Sequence, residues 1–136
     1  MAITQAIANS FKKELLEGEH NFKSSGGDKF KIALYTSSAT LNSATTAFTA
    51  TGEVSNTGQY TSGGGALTNS GTSITAGVAR VDFADRSFTG VTLTARGALI
   101  YNTSATATNA AVCALDFGAD KTATAGVFTI QFPAAT

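Results

Sequence analysis

Apolar residues near the start of the chain recur every four positions. Ile3, Ile7, Phe11 and Leu15 share this spacing, and polar or charged residues lie elsewhere around the helical wheel. Such a repeat puts apolar side chains on one face of a helix. The pattern therefore predicts an amphipathic helix, which Gly18 is suited to end. The four apolar residues either pack on the protein's own sheet or form an interface that docks on a neighbouring subunit, and the pattern leaves both open.

Further along the chain the period of the pattern changes from about four residues to two. Residues 30–34, 79–83 and 128–132 alternate between apolar and other side chains. This alternation is typical of a strand with one buried face. Residues 97–101 and 111–117 are almost continuously apolar, which indicates strands covered on both faces. We expect these two runs to form the centre of a sheet.

Two local features complete the prediction of the fold. The large residues change parity near Thr89 and Gly90, which predicts a bulge or tight turn. Residues 36–78 are rich in Ser, Thr, Ala, Gly and Asn, and a structureless loop of that length is unusual in a compact domain. We therefore expect short strands within it and at least six strands in all. The predicted fold class is mainly β, a single jelly-roll-like β-sandwich with one N-terminal amphipathic helix.

The chain length of 136 residues favours one domain covering residues 1–136. Half of the charged residues lie within residues 1–31, which separates an N-terminal helix or arm, residues 1–18, from a β-sandwich body, residues 28–133. Large aliphatic residues are scarce, so we expect a thin core. A chain of this size buries only about two thirds of its unfolded surface. These features favour a homo-oligomer, a dimer or a trimer, or docking on a partner.

Charge and composition argue against several classes of function. Nine basic and nine acidic residues give a net charge of zero, without the basic surface that a nucleic-acid partner would require. No run approaches the 18 apolar residues of a membrane span, so we expect no membrane partner. His20 and Cys113 are single residues of their type and show no metal-ligand spacing. We expect no catalytic residues, no cofactor and no metal, with Cys113 a buried residue of a strand.

Five blocks of the sequence are similar, in the same order, to a family of small structural proteins from tailed DNA bacteriophages and prophages. The opening residues 1–16 also resemble that family. The blocks are KIALYTSSATL at 31–41, TGEVS at 51–55, ARGALIYN at 95–102, LDFGADK at 115–121 and FTIQFP at 128–133.

The resemblance implies a virion component without enzymatic activity, made in the host cytoplasm and located on the capsid surface. Members of the family are described as head decoration, cement or fibre proteins. The implied function is a capsid cement or decoration protein that bridges and stabilises major capsid subunits, with the major capsid protein as its partner. The alternative is a head-fibre or tail-associated module that binds a receptor or a carbohydrate.

Overall fold

Antiparallel strands make up about half of residues 2–132, the part of the chain that the computed structural model describes. The elements, in chain order, are β1 (Ala6–Ile7), α1 (Asn9–Leu16), β2 (Phe30–Tyr35), β3 (Gly65–Ala66), β4 (Asn69–Thr75), β5 (Val78–Phe83), β6 (Arg86–Asn102) and β7 (Ala110–Ile130). The mainly β class with one N-terminal helix is confirmed. The finer expectation of a jelly-roll topology stays a prediction.

Five strands form one sheet in the order β1-β7-β6-β2-β3, and β4 pairs with β5 in a separate two-stranded sheet. The two continuous apolar runs fall in β6 and β7, at the centre of the larger sheet, as predicted. The bulge is also confirmed, since the register shifts between Phe88 and Val91 and Gly90 has φ 64°. The alternating residues 128–130 do not form a strand of their own. They continue β7, which runs unbroken for 21 residues.

Both faces of the five-stranded sheet are covered at its centre. Phe30 and Tyr101 lie on opposite faces, because Phe30 pairs with Asn102 and the next residue, Lys31, pairs with Tyr101. Phe48, from the long segment between β2 and β3, stacks on Tyr101. Phe22 stacks on Phe30. The arrangement is therefore sandwich-like, with irregular segments supplying much of the second layer on each side.

The prediction of one helix over residues 1–18 is wrong for its first half. Residues 2–8 are extended, because Ile3 forms a bridge with Leu41 and β1 pairs with β7. These backbone groups obtain hydrogen bonds from the sheet, which competes with helix formation. The helix itself covers only Asn9–Leu16, and Gly18 follows it with φ 74°, as a helix-ending glycine does.

The hairpin of β4 and β5 differs from the half-buried strand that the alternation in residues 79–83 predicts. Phe83 is buried, but Val81 is 39% exposed and Ala79 is also exposed. The reason is that the two strands pair only with each other among residues 2–132, so no neighbouring strand covers them. Ala76 and Gly77 turn the chain with φ 52° and 80°, the positive values that a tight two-residue hairpin turn requires.

We expect Leu99→Ala to lower the free energy of unfolding by about 2–5 kcal/mol, because Leu99 is fully buried at the centre of β6 and its truncation leaves a cavity. Chemical denaturation followed by circular dichroism measures this change. The matched control is Leu16→Ala in α1, since Leu16 is 91% exposed and its truncation should cost less than about 0.5 kcal/mol. Equal effects in the two variants would contradict the position assigned to β6.

Candidate functional site

An open apolar groove of about 550 Å³ lies between α1 on one side and the β4–β5 hairpin on the other. Its lining is apolar apart from a threonine and an arginine of the hairpin. The residues are Ile7, Phe11, Leu15, Phe22, Thr72, Ala79, Arg80, Val81, Phe83, Ile100, Val112, Cys113 and Phe132. This groove is the candidate binding surface.

The five-stranded sheet provides the floor of the groove. Ile7 of β1 and Ile100 of β6 both pair with Cys113 of β7, so the three side chains form a row on one face of the sheet. The row continues to Ile32, which pairs with Ile100. Ile32 is fully buried, whereas Ile7 at the other end is 52% exposed. The sheet is therefore covered at its centre and open towards its β1 edge.

The four residues predicted as an interface separate into two groups. Ile7, Phe11 and Leu15 all line the groove, although Ile7 reaches it from β1 and the other two from α1. Ile3 is buried elsewhere, packed so close to Gly97 that a Cβ atom at position 97 would lie 2.8 Å from it. Ile3 and Phe11 are buried in the protein's own core. Ile7 and Leu15 keep about half of their surface exposed.

A chain of five aromatic rings, four of which line the groove, connects its two walls. Neighbouring rings have centroids 4.6–5.9 Å apart, in stacked, tilted or edge-on geometry. The rings, in spatial order, are Phe11, Phe22, Phe30, Phe83 and Phe132. Aromatic pairs of this kind stabilise by roughly 0.5–1.5 kcal/mol beyond the burial of their surface. They hold α1 and the base of the hairpin at a fixed separation.

A buried polar network holds α1 on the sheet. His20 contacts Glu14 through Nε2 at 2.9 Å and Asn102 through Nδ1 at 2.9 Å. The Asn102 carbonyl oxygen accepts from the Ser104 amide, so the Asn102 amide nitrogen must be the donor to His20 Nδ1. His20 Nε2 therefore donates to Glu14. The same Asn102 nitrogen donates to Asp28 at 2.8 Å.

The sequence does not reveal this role of His20, which it presents only as a candidate catalytic base or metal ligand. His20 and Asn102 are 82 positions apart, and no spacing in the sequence connects them. Both ring nitrogens of His20 are occupied by Glu14 and Asn102. Cys113 is half-buried, and burial raises the pKa of its thiol to about 11, which keeps it protonated at neutral pH.

A second polar network lies beside β2, around Glu53, which forms a bridge with Tyr35. Its carboxylate accepts from the Tyr60 hydroxyl at 2.7 Å, the Gly63 amide at 2.7 Å and the Ser62 hydroxyl at 2.8 Å. The Tyr60 oxygen in turn accepts from the Leu34 amide of β2 at 2.8 Å. The hydrogen bonds of Glu53 therefore hold the segment between β2 and β3 against the edge of the sheet.

The part of the chain described here contains no group of three or more His, Cys, Asp or Glu residues that could hold a metal ion. No helix in residues 2–132 has the length and hydropathy needed to cross a membrane. No protein-family model, no curated protein and no solved structure matches the chain. The groove and the hairpin are surfaces that present apolar side chains to solvent.

We expect the free energy of unfolding to fall steeply above pH about 10 because of the three tyrosines, the only ones in the chain. Burial, with the nearby Glu53 carboxylate adding to it, raises the pKa of Tyr35 and Tyr60 strongly and that of Tyr101 to about 12. A tyrosine whose pKa is raised by folding contributes stability at pH values below its pKa in the unfolded chain, which is about 10. This contribution is lost as the pH rises from that value towards the pKa of the folded state.

Ultraviolet absorbance of tyrosinate during an alkaline titration tests this expectation. The native protein should show no phenolate signal near pH 10, and the signal should appear together with the loss of β-sheet circular dichroism. The protein in denaturant serves as the control and should titrate near pH 10. Tyr101→Phe should make the loss of stability with pH shallower. Reversible titration of the tyrosines near pH 10 in the folded protein would contradict their burial.

Proposed function

We propose that this chain is a structural component of a tailed-phage virion, a decoration or cement protein that binds the outer capsid surface and bridges major capsid subunits. The resemblance of five sequence blocks to such proteins supports the class. The observation that carries the proposal is the groove, which presents apolar side chains to solvent beside a body of zero net charge.

The exposure of the groove residues favours a protein partner. Ile7, Leu15 and Val81 belong to three different elements and surround one opening, with 52%, 46% and 39% of their surface exposed. Contiguous apolar surface on a small protein is typical of interaction sites. A partner segment that enters the groove would bury these side chains and stabilise the complex by roughly 25 cal/mol per Å² of apolar surface removed from water.

The low charge of the groove also suits a lasting contact with a shell. Arg80 is the only charged residue among its lining residues. Because covering the groove removes only one charged side chain from water, the desolvation penalty of association is small. The core of a stable protein interface is depleted of charged residues in the same way. These properties support permanent attachment to an assembled particle.

The experiment compares the binding of two leucine variants to capsids of the encoding phage or prophage that lack this protein. Leu15→Asp places a charge in the groove, and we expect at least a tenfold loss of affinity in co-sedimentation, about 1.4 kcal/mol. Leu16→Asp is the control, since Leu16 is exposed and lies outside the groove lining. Thermal unfolding of both variants checks that the fold is retained.

Two results would contradict the proposal. The wild-type protein fails to bind such capsids, or Leu15→Asp binds as tightly as Leu16→Asp. Copy number in purified virions distinguishes the location: a number comparable to that of the major capsid protein supports a shell protein, and a few copies per particle support a head-fibre or tail module.

A further inference from the structure

The hairpin of β4 and β5 has open edges. Its two-residue turn makes Thr75 and Val78 a hydrogen-bonded pair, so Val78, Arg80 and Asp82 direct their backbone groups towards β4. The backbone groups of Ala79 and Val81 consequently point away from β4, along the outer edge of β5. Within residues 2–132 no strand pairs with that edge. A row of unpaired N–H and C=O groups is a template for pairing with another strand.

We propose that the outer edge of β5 pairs with β5 of a second copy of this chain. The two strands run antiparallel about a two-fold axis that passes beside Val81, and the two hairpins form one four-stranded sheet. Val81 of each copy donates to and accepts from Val81 of the other copy. The contact is isologous and closes as a dimer. It involves two copies of the chain alone and does not depend on the proposed binding to a capsid.

The charges of β5 select this register. With Val81 opposite its own copy, Arg80 of each chain lies directly opposite Asp82 of the other, in the pairs where side chains are closest. A shift by one hydrogen-bonding step in one direction places Arg80 opposite Arg80, and a shift in the other direction places Asp82 opposite Asp82. Like charges directly opposite destabilise a sheet. The two-fold arrangement about Val81 alone pairs unlike charges at both positions.

The side chains also indicate a missing partner. Neither Arg80 nor Asp82 forms an ion pair within residues 2–132. Ile74 and Val81 share one face of the hairpin and are 73% and 39% exposed. Pairing of two hairpins extends this apolar face and gives each guanidinium a carboxylate.

Charge reversal tests the arrangement by sedimentation of the full chain. One chain has a mass of 13.8 kDa, and we expect the wild type to sediment with twice that mass. Arg80→Asp and Asp82→Arg each place like charges opposite each other and should weaken association at least tenfold. The double variant Arg80→Asp, Asp82→Arg exchanges the charges and should restore the dimer. Lys121→Asp, an exposed reversal in β7, is the control and should not change the mass.

A cross-link tests the position of the axis independently of charge. In the Cys113→Ala background, Val81→Cys places two thiols in a pair whose Cα atoms lie about 5.5 Å apart, within the range that a disulfide spans. Mild oxidation should give a covalent dimer. Ile74→Cys in the same background lies on β4, away from the axis, and should give none.

A monomeric wild type, a trimer that neither reversal disturbs, a double variant that remains monomeric, or equal cross-linking at positions 74 and 81 would each overturn the inference. Failure of the capsid assay would leave these results unchanged, because Leu15 is not part of the β5 edge. The two proposals can therefore fail separately.

Discussion

The structure depends on the need to cover both faces of the long β6–β7 hairpin. Its central residues are apolar on both faces, so each face must be removed from water for the sheet to be stable. The chain has few large aliphatic residues for this purpose. It covers one face with the segment between β2 and β3, through residues such as Phe48, and the other with Phe11, Phe22 and Phe83. Irregular segments thus cover the sheet where a sandwich would have a second sheet.

Covering segments without regular strands must satisfy their polar groups by other means. Glu53 does so at one edge of the sheet by accepting three hydrogen bonds, and His20 does so at the end of the middle strand by linking Glu14 of α1 to Asn102 of β6. Removal of one member of such a network leaves its partners buried and unpaired, which costs roughly 1–3 kcal/mol per group. The two networks therefore fix the position of the covering segments more than their apolar contacts alone would.

The same shortage of large side chains leaves the cover incomplete. On the face that carries α1, the row of Ile100, Cys113 and Ile7 becomes more exposed towards β1, and the β4–β5 hairpin closes the other side of the groove without filling it. The hairpin itself has an unpaired edge and an exposed apolar face. A chain that obtained part of its stability from partners would have this form, which is the physical basis of both proposals. Capsid binding uses the groove, and pairing of two copies uses the edge of β5.

The sequence by itself determined the local structure, because alternation and continuous apolar runs depend only on neighbouring residues. It determined the strands at 30–34, 97–101 and 111–117, the central position of the last two and the bulge at Gly90, although it predicted one exposed face for the first strand, which is buried on both faces. Only the tertiary structure decided that residues 2–8 are extended, since Leu41 and β7 offer hydrogen bonds that no four-residue spacing reveals. It also decided that Ile3 is buried while Ile7 and Leu15 line a groove, and that His20 meets Asn102. These contacts join residues far apart in the chain, and their geometry is set by packing against the sheet.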